Sequence, residues 1–289
     1  MAVLNFKTET PIYHYTSVDA ARIIAESGQL RFTRADQTND PFEVQFVREK
    51  YLRQLSDLAS RSGAGREKWR RILESYARVS DPKLFYIACF SYVRDSIAMW
   101  RLYSGEGSGV VLGFRPAALD AFDCRASEVS YRDEDGLVRG TAMQRFASST
   151  ADVQSTNIPI NSQDDEIRLI VAMVERTVTT KLLHWDYEKE VRLSFSFDPG
   201  MYASIAESVD RMAHERLSKY RPTESSLGGS SYVFQNFGKR RAKLVDRSKA
   251  FAELVLGPNC AWTAAEAEEY LAGCGYVDFR VTRSPVAWR

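Results

Sequence analysis

Hydrophobic and polar positions along the chain switch between a period near two and a period near 3.6, and the switches mark its elements. Residues 11–15 predict a short strand. Thr16 or Ser17 then caps a helix to about Ser27, with Ala20, Ala21, Ile23 and Ile24 inward and Gly28 as its stop. Residues 30–33 predict a second strand. Asp40, just ahead of Pro41, is placed to cap a helix reaching about Ser60. Trp69, Ile72, Leu73 and Tyr76 mark another helix after the glycine-containing break at 61–65. The apolar run within residues 83–91 has the length of a buried strand. Asp95 next caps a short helix bearing Met99, Trp100 and Tyr103, and a glycine-rich turn at 105–109 leads into a strand at 110–114.

Farther on, residues 116–122 predict a helix, 128–132 a strand and 148–163 a polar loop. Ser162 opens an amphipathic helix in which Ile167, Ile170, Val171, Val174 and Val178 keep helical spacing, with its end near Leu183. A helix is expected at 201–220, a loop at 225–231 and a strand at 253–256. Thr263 with Glu266 forms a capping box for a helix to about Ala272, and residues 277–282 predict a last strand. Internal repeats and composition shifts are lacking, so the expectation is a single mixed α+β domain over residues 1–289, with short strands and helical insertions.

One stretch departs from ordinary patterning. Read with a period of two, residues 184–197 place Trp185, Tyr187, Val191, Leu193, Phe195 and Phe197 on one face, with Lys189 out of place among them. The opposite face carries His184, Asp186, Glu188, Glu190, Arg192, Ser194 and Ser196. On a strand, Glu188 and Glu190 would point the same way, roughly 7 Å apart at the backbone. Such a row is the usual solvated side of a half-buried strand, or it is the carboxylate pair of a site.

Composition narrows the choices. Hydrophobic residues make up 44% and aromatics 12% of 289 residues, ample for a core. The net charge of +1 supplies no general field for nucleic acid or anionic lipid, so any such contact needs a local patch. Lys239, Arg240, Arg241 and Lys243 are the one basic concentration. No membrane span or signal peptide is evident, and a cytoplasmic location is expected. Cys89, Cys124, Cys260 and Cys274 lack paired spacing and read as reduced, mostly buried thiols. With three histidines, a zinc site of the usual spacing is not expected.

Several motifs stand in order along the chain: Tyr13-His14-Tyr15-Thr16-Ser17, Asn39-Asp40-Pro41-Phe42-Glu43, Cys89-Phe90-Ser91, Met99-Trp100 with Tyr103, Lys181 with Trp185-x-Tyr187-Glu188-x-Glu190-x-Arg192, and Leu256-Gly257-Pro258. Together they resemble a large bacterial family catalogued as domain-of-unknown-function family 2971. More distantly, a first strand with His14, a later aromatic and a late Glu-x-Glu resemble the ADP-ribosyltransferases. That resemblance implies split sheets of short strands with surrounding helices, and NAD as substrate.

It implies further that Glu190 is catalytic with Glu188 assisting. His14 would meet the adenosine-side ribose and Tyr103 the nicotinamide, with Tyr15, Thr16, Ser91 and Arg192 as further binding residues. The departures are that Tyr103 sits at a helix end rather than after a strand, and that a His-type first strand is paired with a Glu-x-Glu strand. The acceptor would be RNA, DNA or protein, the setting a bacterial toxin or phage-defence effector with a possible cognate inhibitor. Such a site needs a carboxylate near the oxocarbenium-like ribose left when nicotinamide departs. Two other readings stay open. One is a nuclease or phosphodiesterase in which Asp40, Glu43, Glu188 and Glu190 converge on Mg²⁺. The other is a non-catalytic binding module on the same scaffold.

Overall fold

A computed structural model describes residues 10–38, 42–61, 63, 65–119, 124–132, 162–196, 224–227, 230–236 and 246–286. The expected cap at Asp40 and Pro41, the side chain of Glu43, nearly all of the 148–163 loop, the 201–220 helix and the 239–243 basic cluster lie outside them. The architecture is mixed α+β. The helices are α1 (Val18–Ser27), α2 (Phe42–Arg61), α3 (Arg66–Val79), α4 (Ile97–Tyr103), α5 (Pro116–Leu119), α6 (Gln163–Thr179) and α7 (Ala264–Gly273).

The strands are β1 (Ile12–Thr16), β2 (Gln29–Arg34), β3 (Phe85–Ser91), β4 (Val110–Phe114), β5 (Arg125–Glu128), β6 (Ser130–Arg132), β7 (Thr180–Leu182), β8 (Glu190–Ser196), β9 (Glu224–Leu227), β10 (Ser230–Asn236), β11 (Phe251–Leu256) and β12 (Arg280–Arg283). The main sheet runs β12-β11-β4-β1-β3-β2-β10-β9, with β8 and then β5 added beside β3. β6 and β7 pair separately and in parallel.

The sheet forks at β3. All seven residues of β3 pair with β8 along one edge. Its other edge is shared, with β1 pairing at Ser91 and β2 at Ile87 and Tyr86. The register sets Arg280, Glu253, Gly113, Tyr13, Ser91 and Glu190 opposite one another across six strands. Paired residues share a face, so these side chains form one row on one side of the sheet.

The opposite face packs the largest core, where Phe32, Phe90, Leu112, Phe114, Leu193 and Leu254 meet Ile24 of α1 and Leu271 of α7. On the row's own face, α4 covers Tyr13, Tyr15, Val111 and Val255 with Met99 and Trp100. Phe85 and Ile87 on that face meet Val44 of α2 and Val178 of α6. α2, α3 and α6 hold a core of their own around Leu55, Ile72, Tyr76 and Met173. Between these two coverings, Cys89 is exposed although it sits mid-strand among buried neighbours.

Local signals explain most boundaries. Ser17 caps α1 by accepting from the Ala20 amide at 3.1 Å, and Gly28 closes it at φ 65°. Ser162 and Thr263 each complete a capping box, with Asp165 and Glu266. Other expectations need correction. Ile23, Ile167 and Val171 are exposed rather than inward, and α6 turns inward with Leu169, Met173 and Val178.

Asp95 does not cap α4. Its carboxylate accepts from Trp100 Nε1 at 2.6 Å and Ser284 Oγ at 2.8 Å, and Ser96 holds the cap position. The expected loop at 225–231 falls largely within the antiparallel pair β9 and β10. The strand expected at 277–282 begins at Arg280, and that expected at 128–132 is divided between β5 and β6.

The glycine turn before β4 is structural, as its lead into a strand suggested. Gly257, in the Leu-Gly-Pro motif, donates to Gly109 O at 3.0 Å, and Asn259 donates to Gly107 O at 3.0 Å. A Cβ on Gly257 would stand 2.2 Å from Gly107 O, which is backbone and cannot swing aside. Gly257→Ala is expected to destabilise the protein by about 1–3 kcal/mol or more, read as a lower urea midpoint with an unchanged slope.

Candidate functional site

The decisive local event is a turn where the alternation promised a strand. Residues Leu183–Glu188 form a 3-10 turn, Lys189 follows at φ 42°, and strand pairing starts only at Glu190. Lys189 was the one residue out of place on the apolar face, and its left-handed backbone explains why: it belongs to the turn. The turn is pinned from three sides. Ser91 Oγ donates to Glu188 O, Tyr92 N donates to Lys189 O at 3.0 Å, and Glu190 N donates to Tyr131 OH at 2.7 Å.

Glu188 and Glu190 therefore do not form an exposed row. Each is 3% exposed, and Arg192 is 2% exposed. Lys181 of β7, also buried, places its ammonium 2.5 Å from Glu188 Oε2 and 2.8 Å from Glu190 Oε2. Arg192 grips Glu190 with both arms of its fork, Nε to Oε1 at 2.9 Å and Nη2 to Oε2 at 3.0 Å, and donates to Val178 O at 2.6 Å. The four charges cancel, which is the condition for burying them. Burial by itself would raise the Glu190 carboxyl, but Arg192 and then Lys181 override it and hold the group at about 2.

Tyr103, at the end of α4, donates its hydroxyl to Glu188 Oε1. Burial and then the Glu188 hydrogen bond drive its phenol well above the ordinary value, so it stays protonated. Cys89 shares a hydrogen bond with Glu190. Desolvation of the sulfur first, and the Glu190 charge second, push its thiol up well above the ordinary value. A thiol held protonated in this way donates to the carboxylate rather than acting as a nucleophile.

His14 meets the same residue from across the fork. Its Nδ1 lies 2.9 Å from Cys89 O, and a carbonyl oxygen only accepts, so Nδ1 carries the proton and Nε2 is left as an acceptor. Desolvation lowers the His14 pKa below its usual 6.5 and outweighs the opposing carbonyl bond. The ring stands where β1 and β3 no longer pair, with Phe90 5.4 Å away.

The cluster runs from Glu190 through Lys181 and Glu188 to Tyr103, with the Cys89 thiol beside Glu190; His14 joins only at the Cys89 backbone carbonyl, with its ring against Phe90 of the opposite sheet face. Ser91 and Arg192 are attached to it. Tyr15 and Thr16 are not: both are buried, and Tyr15 bonds Val93 O at 3.0 Å with its ring against Trp100. Met99 and Trp100 are core. Lys181, Cys89 and Tyr131 have roles that spacing did not disclose. The hint for Lys181 was its place four residues before Trp185, whose ring lies 5.4 Å from its ammonium.

A cavity of about 690 Å³ lies elsewhere, between α6 and the strands, with Phe85, Val171, Val174 and Phe195 in its walls and no residue of this network. Among the described residues, no group of three or more His, Cys, Asp or Glu side chains is placed to hold a metal. Nor is any described helix long and apolar enough to cross a membrane.

Residues 99–193 match a family model described as protein of unknown function, DUF2971. Over that segment the chain is similar to this family. The DUF2971 match opens at the Met-Trp motif of α4 and closes within β8, so it encloses Tyr103, Tyr131, Lys181, Glu188, Glu190 and Arg192. His14, Cys89 and Ser91 complete the network from outside it. No curated protein and no solved structure matches the chain.

Two outcomes test the charge balance. Lys181→Met leaves two buried carboxylates against one cation and is expected to cost about 3–5 kcal/mol. Adding Glu188→Gln to it should restore part of the loss in a double-mutant cycle. Because the folded-state Glu190 pKa of about 2 lies below its ordinary 4.5, its contribution is present above pH 4.5 and lost as pH falls toward 2. Urea unfolding across that window should show a smaller decline in Glu190→Gln than in the parent.

Proposed function

We propose that the chain is an ADP-ribosyltransferase-like enzyme that cleaves NAD between nicotinamide and ribose and modifies a macromolecular acceptor, RNA, DNA or protein. We infer the biological setting to be a toxin or phage-defence effector, for which a cognate inhibitor is the expected partner. The observation that carries this reading is the buried cluster joining Glu190, Lys181, Glu188 and Tyr103, with His14 bonded to the carbonyl of Cys89 beside it. The fork at β3, with His14 standing in it, supports the split-sheet form of the fold that the same reading requires.

The residues divide the work by their hydrogen-bonding states. Neutral His14 offers Nε2 to a ribose hydroxyl. Tyr103 offers its ring to nicotinamide. Glu190, ionised at every physiological pH, opposes the positive charge that develops on the ribose when the C–N electron pair leaves with nicotinamide. Arg192 and Ser91 are positioning residues, one for the Glu190 carboxylate and one for the Glu188 backbone. Glu188 is the carboxylate that no arginine holds, so it is the one to take the acceptor's proton once the Tyr103 hydroxyl turns aside.

A second reading has its own observation. Every oxygen of Glu188 and Glu190 already accepts a hydrogen bond from a side chain, as in a charge cluster that only supports a binding surface. Labelled NAD incubated with RNA, DNA and protein separates the two. Label transfer or nicotinamide release that falls about 100- to 1,000-fold in Glu190→Gln and Glu188→Gln, with folding intact by circular dichroism, supports the enzyme. Absence of both label transfer and nicotinamide release above background in the parent would leave the binding module. Because His14 is neutral to below pH 6.5, NAD affinity should stay level as pH falls to that value, and His14→Ala should weaken it.

A further inference from the structure

The row that ends in Glu190 has a second buried carboxylate at its other end. Glu253 of β11 is 1% exposed and accepts three hydrogen bonds. Tyr13 OH takes Oε1 at 2.9 Å, whereas Arg94 Nε and Arg280 Nε both take Oε2, at 3.0 and 3.1 Å. Arg94 also donates from Nη2 to Thr282 Oγ1 at 2.6 Å. Gly113, paired with both Tyr13 and Glu253, makes room for them. A Cβ there would come within 2.9 Å of Glu253 Cγ and 3.1 Å of Tyr13 Cε1.

One carboxylate needs one arginine. Here two guanidinium groups converge on a single oxygen, so a unit of positive charge is left over at the point where they meet. The surplus faces outward, since the Arg280 side chain is 68% exposed and that of Arg94 is 33% exposed. Both Nη atoms of Arg280 and Nη1 of Arg94 make no hydrogen bond among the described residues. The buried carboxylate thus fixes two forks by their Nε ends and leaves their other arms directed at solvent.

We propose that Arg94 and Arg280, held on the buried Glu253, form a binding site for a phosphate group. Guanidinium forks match phosphate oxygens in planar pairs, and a phosphate has enough oxygens to meet two forks arriving from different elements. Its charge also offsets the surplus that Glu253 leaves. The site stands apart from the NAD reading, because it needs an oxyanion and no cleavage. About five strand spacings of ~4.8 Å separate Arg280 from Glu190 along the row, so the phosphate is one distant from the reacting bond. Its source is a nucleotide or the backbone of a nucleic-acid strand.

The test follows the Arg Nε–Hε signals of the full chain by NMR while inorganic phosphate replaces chloride at constant ionic strength. Saturable shifts at Arg94 and Arg280, with affinity at least tenfold weaker in Arg280→Ala and only partly restored in Arg280→Lys, support the site. Shifts that never saturate, or affinity unchanged in Arg280→Ala, overturn it. Parallel titrations with NAD and with a short single-stranded oligonucleotide identify the source as the ligand whose affinity Arg280→Ala lowers. Phosphate binding without NAD cleavage would retain this site while removing the enzymatic reading, and the reverse result would remove only this site.

Discussion

The ammonium of Lys181 between Glu188 and Glu190 is the interaction on which the rest of the site depends. Two carboxylates cannot be buried side by side and ionised without a cation that reaches both. Lys181 reaches both because β7 delivers it opposite Tyr131, whose hydroxyl in turn fixes the first amide of β8. Arg192 completes the neutralisation from within β8 itself and ties Glu190 to the end of α6 through Val178 O. Charge balance, strand start and helix end are therefore one problem with one solution.

That solution also explains where the site is. The sheet face that carries it is covered by α4 at one end and by α2 and α6 at the other. Apolar residues fill both coverings, and the charged residues occupy the interval between them. The fork at β3 falls in the same interval. There, the Cys89 carbonyl loses its strand partner and takes the His14 imidazole instead, which satisfies a backbone group that would otherwise be left unpaired. A break in the ladder and the placement of the His14 ring are in this way the same feature.

The same sheet face has used one device twice. A buried glutamate from one strand gathers cations from neighbouring elements, with Lys181 and Arg192 at Glu190, and Arg94 and Arg280 at Glu253. The two differ in their remainder. At Glu190 the count closes to zero because Glu188 joins, and the cluster is sealed. At Glu253 the count leaves one positive charge beside solvent. Burial and charge balance, rather than residue type, separate a locked carboxylate from one that presents its partners outward.

Much of this was legible along the chain. The strand at Ile12–Thr16, the helix that Ser17 caps and Gly28 ends, the buried strand at Phe85–Ser91, and the capping boxes at Ser162 and Thr263 follow from local patterning and side-chain-to-backbone bonds. These are short-range effects that a sequence states directly. The family motifs likewise marked His14, Tyr103, Glu188 and Glu190 as worth placing together. The sequence by itself could not show that residues 184–188 form a turn, because alternation of polar and apolar side chains looks the same whether the polar ones meet water or buried cations. Only the fold supplies those cations, from Lys181 on another strand and from the geometry that curls Lys189 into a left-handed backbone. Periodicity records which side chains avoid water, whereas the turn and strand starts that bring Lys181 and Arg192 onto these carboxylates, and the fold that brings Tyr103 from 85 residues away, are decided by the tertiary structure alone.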